Sequence, residues 1–285
     1  MKHRKTLLVL LTLLVGSVGV IAFQRYGTPS VAKEMREGDP RIRQELFALV
    51  QPVALKNCTL ERFGEDHDGG YLVCGNLLKD VKGAYSYGIS GYDKWGCDAS
   101  TKLGVKLHQY DCFDTRQPSC PGGDTVFHAE CIGDAAKTED GRLFDTMQNQ
   151  LAKNGDATKR LVVKMDVEGA EWDSLLHAPD ATLDRIDQLA IEFHYINDER
   201  YVKTVQRLKQ FFYVANVHYN NFACQEGIAP FPAEVYEVLF VSKRLGVPGG
   251  SGKAGAPAAL AASNNPGWSD CQSLADLPPI RPPAH

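Results

Sequence analysis

The sequence has no excess of positive charge and no cysteines in a Cys-x-x-Cys pair. Its 31 Lys and Arg residues are outnumbered by 35 Asp and Glu residues, which gives a net charge of −4. With no basic patch that carries interleaved aromatics, the chain gives no reason to expect a nucleic-acid partner. The missing Cys-x-x-Cys argues against a zinc ribbon and against a thioredoxin-like redox site.

Two sequence motifs, one for dinucleotide binding and one for a catalytic serine, are incomplete in this chain. The chain also has no internal repeat. The turn Gly88-Ile89-Ser90-Gly91-Tyr92 lacks the third glycine of the dinucleotide-binding GxGxxG motif. Tyr92 stands where the GxSxG motif of a nucleophile elbow requires glycine. Glycines directly after a strand still allow a close approach to a nucleotide.

The chain has 285 residues, of which 44% are hydrophobic, so it can build one large or two small domains. It contains 8 cysteines, which are many for a cytosolic enzyme. They are either scattered core thiols or disulfides formed in an oxidising compartment. We expect some of them to be paired.

The N-terminus predicts a membrane anchor. Residues 1–5 contain Lys2, Arg4 and Lys5, and residues 6–23 contain no charge. As a helix, the uncharged segment would be about 27 Å long, close to the ~30 Å hydrocarbon core of a bilayer. An uncleaved signal-anchor is expected, and a cleaved signal peptide with a secreted product is the alternative. The positive charges predict a cytosolic tail (1–5) and a type II protein whose body is lumenal or extracellular.

The remaining chain divides into three parts. Residues 24–55 are predicted to form a stem and a leading helix, with Asp39 as N-cap and Pro40 in the first turn. Residues 56–245 are predicted to form the folded domain. Residues 246–285 are rich in Gly, Pro and Ala and are predicted to be disordered, because they cannot bury a core.

Alternating apolar runs and helical patterns predict a doubly wound, Rossmann-like α/β fold. Predicted strands cover residues 84–87, 105–110, 125–132, 161–165, 188–193, 212–218 and 235–242, and predicted helices cover 142–151 and 200–211. The last two strands are expected to pair and close the sheet. The loop before Tyr71, with Asp68, Gly69 and Gly70, is either a hairpin turn or a ligand loop.

Acidic residues follow several predicted strands, where open α/β sheets bind their ligands. Asp166 ends the strand at 161–165, and Glu168 and Glu171 follow it, although these two glutamates also suit a helix N-terminus. Asp111 lies 23 positions after Gly88, the spacing at which a carboxylate accepts ribose hydroxyls; a solvated strand-end aspartate is the alternative. Asp134 ends the predicted strand at 125–132.

Six motifs together make the chain similar to a known group of proteins. They are DHDGGYLVC (66–74), AYSYGISGYD (84–93), LHQYDCFD (107–114), IGD (132–134), KMDVEGAEWDSL (164–175) and LAIEFHY (189–195). Over residues 60–244 the chain resembles the FkbM-type, methyltransferase-like proteins among the class I S-adenosylmethionine-dependent methyltransferases. The combination of KMDVEGAEW and IEFH carries most of this resemblance.

The resemblance implies a seven-stranded sheet with an antiparallel last strand and S-adenosylmethionine bound over the first two strands. It implies that Asp111 binds the ribose and that Asp166 lies nearest the transferred methyl group. The residues expected around the cofactor are Asp68, Gly69, Gly70, Gly88, Ser90, Gly91, Asp111, Ile132, Gly133, Asp134 and Asp166. Within that set, Ile132, Gly133 and Asp134 are expected at the adenine.

Methyl transfer requires a group that removes the acceptor's proton, and Asp166, Glu192 and His194 are the candidates. Asp166, Glu168, Glu192 and His194, with Glu171 nearby, could instead hold a divalent cation such as Mg²⁺. The expected reaction is O-methylation of a hydroxyl on a small molecule or a glycan. One alternative is a lumenal glycosyltransferase that uses Asp166-Val167-Glu168 as a DxD-like metal motif. Another is a cofactor-binding module without catalysis.

Overall fold

The computed structural model describes residues 38–249, 255–257 and 260–271. The predicted cytosolic tail, the predicted anchor at 6–23 and most of the predicted stem lie outside these residues. No helix in the described part of the chain combines the length and the apolar character needed to cross a membrane.

Strands and helices alternate along the described chain. The strands are β1 (Leu60–Phe63), β2 (Tyr71–Cys74), β3 (Gly83–Tyr87), β4 (Lys106–Tyr110), β5 (Asp124–His128), β6 (Cys131–Ile132), β7 (Lys137–Glu139), β8 (Arg142–Asp145), β9 (Leu161–Met165), β10 (Ile186–His194), β11 (Phe212–Tyr219) and β12 (Val235–Ser242). The helices are α1 (Pro40–Leu49), α2 (Lys94–Leu103), α3 (Met147–Lys153), α4 (Ala170–Leu176), α5 (Asp180–Leu183) and α6 (Glu199–Phe211). Asp39 caps α1 as predicted, because its side chain accepts a hydrogen bond from the Arg41 amide.

Seven strands form the central sheet in the order β11-β12-β10-β9-β3-β4-β5. The strands from β10 to β5 run parallel, whereas β12 is antiparallel to both of its neighbours. This confirms the predicted mixed α/β sheet with an antiparallel last strand, and it is compatible with a Rossmann-like fold. The chain builds outward from β3 in one direction and from β9 in the other, so the topological switch point lies between these two strands.

The two faces of the sheet differ in character. On one face, Leu161, Val163 and Met165 of β9 join the large hydrophobic cluster formed with α1, α4 and α6. On the other face, Val162 of β9 joins a smaller cluster beneath α2 and the β1–β2 hairpin. Because side chains alternate along a strand, Lys164 lies on this second face, where the carboxyl ends of the strands become polar.

The region after β5 differs from its prediction. The strand predicted at 125–132 ends at His128, and β6 belongs to a separate three-stranded sheet of order β6-β8-β7. The first half of the helix predicted at 142–151 is wrong, because Arg142–Asp145 forms β8. Asp140 and Gly141, both with positive φ, make the hairpin turn before β8, and Leu143 is exposed. An Asp-Gly hairpin therefore overrides the helical spacing.

The disorder predicted from residue 246 onward is wrong for residues 260–271, here called the strap. Asn264 in the strap is 4% exposed, and its amide donates to Asp68 and Glu237. Arg62 donates to the Leu260 carbonyl, and Cys271 is bonded to Cys224. The strap buries little apolar surface, so composition predicted disorder, whereas hydrogen bonds and a disulfide hold it.

All eight cysteines are paired, as Cys58–Cys74, Cys97–Cys120, Cys112–Cys131 and Cys224–Cys271. This confirms the prediction that some of them form disulfides. Four disulfides indicate an oxidising environment, such as the secretory lumen or the extracellular space.

We expect acid to destabilise the fold through a buried histidine stack. His108 lies between Tyr85 and His128, with ring centroids 5.0 and 5.3 Å away, and burial lowers its pKa from 6.5 to about 4. The unfolded chain therefore binds this proton first, and the contribution of His108 to stability is lost as the pH falls from 6.5 towards 4. In chemical denaturation at pH 7, 5.5 and 4.5, His108→Phe should lose less stability than the unchanged protein. Parallel losses in both proteins would contradict this.

Candidate active site

Polar side chains converge on the second face of the sheet, where β9 and β10 end and the antiparallel β12 begins. They belong to alternate positions of these strands, which place them on the same side as the β1–β2 hairpin. The group comprises Lys164, Asp166, Glu192, His194 and Glu237. Apart from Asp166, each of these residues is buried, with a relative exposure of 5–8%.

The turn after β9 is fixed by a carboxylate. Glu168 and Gly169 both have positive φ, at 55° and 104°, and the turn leads directly into α4. Glu171 is fully buried; one of its oxygens accepts from the Gly169 amide and the other from the His194 amide. Glu171 therefore links the end of β10 to the turn after β9. This structural role goes beyond the favourable interaction with a helix N-terminus that the sequence suggested.

The His194 ring is held from one side and faces carboxylates on the other. Its Nδ1 lies 3.1 Å from Oε1 of Glu171. Its Nε2 lies 3.5 Å from Glu168, 3.6 Å from Glu192 and 3.9 Å from Asp166. The structure thus brings together all four residues that were predicted as candidate metal ligands.

Asp166 has a different partner for each oxygen. Its Oδ2 accepts from the Tyr71 hydroxyl at 3.1 Å and from the Lys164 ammonium at 3.2 Å. Its Oδ1 faces Nε2 of His194. The side chain is 27% exposed, so Asp166 is the most accessible group of the buried cluster.

Burial and neighbouring charges shift the pKa values of Asp166, Glu192 and His194 in different directions. Burial alone would raise the pKa of Asp166, but the charges and hydrogen bonds of its neighbours, led by Lys164, lower it. Burial and the charge of Asp166 raise the pKa of Glu192 well above its usual range. Burial alone would lower the pKa of His194, but Glu171 and the other carboxylates raise it to about 10. At neutral pH the free protein therefore holds Asp166 ionised and His194 protonated.

Two glutamates lie directly opposite each other in the sheet. Glu192 of β10 pairs with Glu237 of β12, and each is 8% exposed. Like charges at such a position are destabilising. Asn264 of the strap donates to Glu237 at 2.8 Å, and burial raises the pKa of Glu237 to about 7. The hydrogen bond from the strap therefore offsets part of the unfavourable interaction between Glu192 and Glu237.

The glycine turn after β3 packs on Asp166. A Cβ on Gly88 would lie 1.6 Å from the Asp166 carbonyl oxygen, and Gly88 has a φ of 72°. Only glycine permits both the contact and the conformation. The Lys164 ammonium donates to the Gly88 carbonyl at 2.6 Å. The turn and Asp166 therefore form one continuous edge at the switch point.

Asp111 holds the glycine turn in place. Its Oδ2 accepts from the amides of Ile89 and Ser90, and its Oδ1 accepts from those of Phe113 and Asp114. The four backbone donors match the four lone pairs of a carboxylate. A ribose hydroxyl would have to compete with them. The predicted ribose contact stays a prediction, and the structure adds a positioning role for Asp111.

The other predicted cofactor residues lie around this edge. Ile132, Gly133 and Asp134 follow β5, beyond β4, and the Cys112–Cys131 disulfide ties their segment to the loop after Asp111. Asp134 is exposed. Asp68, Gly69 and Gly70 lie in the hairpin loop, and Asp68 accepts from Asn264 of the strap.

The sequence analysis missed Lys164, Glu237 and Asn264 as site residues. Lys164 had a readable signal, because a lysine inside an otherwise apolar buried strand requires a partner. Glu237 has the same kind of signal in β12. Asn264 had none, since it lies in a segment whose composition predicts disorder.

No protein-family model matches the chain, and no curated protein matches it. The resemblance to FkbM-type methyltransferases therefore stays a prediction based on the motifs quoted above.

Proposed function

We propose that the protein is an S-adenosylmethionine-dependent methyltransferase that methylates a hydroxyl group. The supporting observation is the continuous edge at the switch point, where the glycine turn after β3 contacts Asp166 at the end of β9. Open α/β sheets bind ligands at this position. The motifs from which the resemblance was inferred occupy the same edge.

The residues at this edge fit such a cofactor in part. Ser90 in the glycine turn is exposed, and Phe113, which follows Asp111, is 76% exposed and offers an aromatic face. When bound, S-adenosylmethionine supplies a methyl group on a positively charged sulfonium. Gly88, Ser90 and Gly91 would hold its methionine end, and Ile132, Gly133 and Asp134 its adenine. Asp111 would act mainly by shaping the turn.

Asp166 is the best of the three candidate bases. A base must be unprotonated to accept the acceptor's proton, and the pKa of Asp166 is lowered, whereas the pKa values of Glu192 and His194 are raised. Tyr71 and Lys164 hold one oxygen of Asp166, which leaves Oδ1 for the acceptor hydroxyl. Glu192 and His194 then act beside it as buried polar neighbours.

The acceptor is proposed to be a small molecule or a glycan. The four disulfides suggest a lumenal or extracellular body, where carbohydrate hydroxyls are common. We further propose that residues 6–23 anchor the protein as a single-pass type II membrane protein. Labelled S-adenosylmethionine offered with glycan, protein and small-molecule pools would identify the acceptor.

A glycosyltransferase is the second candidate, because Asp166 and Glu168 both lie within 3.9 Å of Nε2 of His194 and could share a metal, as the carboxylates of a DxD-like motif do. Titration with S-adenosylmethionine, and separately with a UDP-sugar plus Mn²⁺, separates the two. We expect the first ligand alone to stabilise the protein, by about 2.7 kcal/mol at 100 times its Kd. Stabilisation by the UDP-sugar alone would overturn the methyltransferase proposal. Cofactor binding without transfer to any labelled pool would favour a non-catalytic module.

Asp111→Ala is expected to weaken S-adenosylmethionine binding at least about tenfold and to lower the melting temperature. The variant removes the acceptor of four backbone amides, and each hydrogen bond to a charged group contributes about 1.5–3 kcal/mol. Calorimetric titration and thermal unfolding measure the two effects. Asp124→Asn, on an exposed side chain, is the control. Loss of binding without loss of stability would favour a direct ribose contact over a positioning role.

A further inference from the structure

Asp166, Glu192 and His194 form a cluster whose size suits a metal ion. One donor atom from each residue lies within 4.8 Å of the other two. Metal–ligand bonds to carboxylate oxygen and imidazole nitrogen are about 2.0–2.2 Å long, so donors on opposite sides of an ion are about 4.3 Å apart. The Nε2 atom of His194 lies 3.6 Å from Glu192 and 3.9 Å from Asp166, and both distances fall within this span.

Nε2 of His194 is directed into this cluster without a hydrogen bond. The residue is 5% exposed, and its three Nε2 contacts to carboxylates, at 3.5 to 3.9 Å, are longer than a normal hydrogen bond. A nitrogen that faces three oxygens at these distances is placed as a ligand would be. A cation at the centre would convert these contacts into coordination.

Glu171 supplies the support that a histidine ligand needs. Metal-binding histidines generally donate their other ring N–H to a carboxylate or a carbonyl, which fixes the tautomer and the ring orientation. Glu171 lies 3.1 Å from Nδ1, is fully buried, and is itself fixed by the amides of Gly169 and His194. Once a cation displaces the Nε2 proton, the arrangement presents the Nε2 lone pair to the cluster.

The Glu192–Glu237 pair is an independent indication. Two buried glutamates opposite each other on adjacent strands repel each other unless a proton or a cation lies nearby. With Asp166, Glu168 and Glu171, five carboxylates surround this end of the sheet, and the nearby cations are the Lys164 ammonium, the Arg62 guanidinium and the protonated His194 ring. A divalent cation would balance this excess of negative charge.

We propose that Asp166, Glu192 and His194 bind a divalent first-row metal cation, with Glu168 as a fourth ligand and Glu171 as the residue that orients His194. Two or three carboxylates favour Mg²⁺ or Mn²⁺, and the imidazole shifts the preference to Mn²⁺. Glu168 is 74% exposed, so the side of the ion that it covers can open to a substrate. The site itself is independent of the proposed methyl transfer. Only the role of the cation rests on that function: with Asp166 bound to it, the cation would bind and acidify the acceptor hydroxyl in place of direct proton removal by Asp166.

Metal-free protein titrated with MnCl₂ tests the proposal. Electron paramagnetic resonance measures the Mn²⁺ that remains free, and the bound remainder should correspond to one binding site per chain. Mg²⁺ should bind to the same site more weakly than Mn²⁺. His194→Gln and Glu192→Gln should each weaken Mn²⁺ binding at least about 100-fold, and Glu171→Gln should weaken it about 10–100-fold. Glu199→Gln, on an exposed side chain of α6, should bind like the unchanged protein. Circular dichroism establishes that each variant is folded.

The outcomes separate this proposal from the proposed function. Loss of the Mn²⁺ site in folded His194→Gln and Glu192→Gln supports it. No stoichiometric Mn²⁺ binding, or full binding in both folded variants, overturns it, and the cluster is then an imidazolium held by carboxylates. S-adenosylmethionine is titrated into the same metal-free protein. Cofactor binding without a Mn²⁺ site defeats the metal proposal alone, and a Mn²⁺ site without cofactor binding defeats the methyltransferase proposal alone.

Discussion

Asp166→Asn should lower methyl transfer at least about 100-fold and change S-adenosylmethionine binding by less than about tenfold. The asparagine keeps an oxygen that can accept from Tyr71 and Lys164, so the end of β9 retains its hydrogen bonds. It loses the charge and the second oxygen, which faces His194 and which we propose for the acceptor hydroxyl. The proposed cofactor contacts at the glycine turn should not depend on this side chain.

Transfer of labelled methyl to the acceptor pool and calorimetric titration of the cofactor measure the two quantities. Asp173→Asn makes the same chemical change on α4, where the side chain is 38% exposed and pairs with Arg200. This control should leave both quantities unchanged. Normal transfer by Asp166→Asn would refute the role assigned to Asp166. A parallel collapse of binding and transfer would place Asp166 in cofactor binding instead.

Removing the Cys224–Cys271 disulfide with serine at both positions should destabilise the protein by about 4 kcal/mol and lower its melting temperature on the order of 10 °C. This bond closes the longest of the four loops, with a sequence separation of 47. It also anchors the end of the strap, whose other attachments are hydrogen bonds to polar groups and an edge contact of Trp268 with Phe222. Without the bond, Asn264 should leave Asp68 and Glu237.

Thermal unfolding and hydrogen exchange measure the loss, and exchange should rise in the strap before it rises in β12. Serine at Cys58 and Cys74, which close a loop with a separation of 16, provides the matched comparison. That variant should lose about 3 kcal/mol and leave the strap protected. Alkylation should modify no cysteine before reduction and all eight afterwards. Eight reactive thiols in the native protein would remove the basis of the prediction.

Much of the central sheet could be predicted from the sequence. The predicted bounds of β9 and β12 are those of the structure, because both strands are short apolar runs that end at polar residues. The predicted strand order along the chain was five parallel strands and then a final pair that closes the sheet. This order was inferred from the alternation of predicted strands and helices. Where prediction failed, at β8, a local Asp-Gly turn competed with the apolar spacing of Leu143, Met147 and Leu151.

The candidate site could be predicted only in part. Asp166, Glu192 and His194 follow or end apolar strands, and parallel strands bring such ends together, so their proximity was inferable. The role of Asp111 in holding the glycine turn was not, because spacing does not reveal which backbone amides a carboxylate accepts. The strap was also hidden, since its position depends on a disulfide partner 47 residues away.

The pairing of Glu192 with Glu237 fits a trade-off between stability and the activity that we propose. A sheet selected for stability alone would place two apolar side chains at these buried, facing positions, as it does on its other face with Phe193 and Tyr236. Natural proteins retain destabilising groups where activity requires them. The end of this sheet therefore carries a cost in folding free energy that the rest of the core must offset.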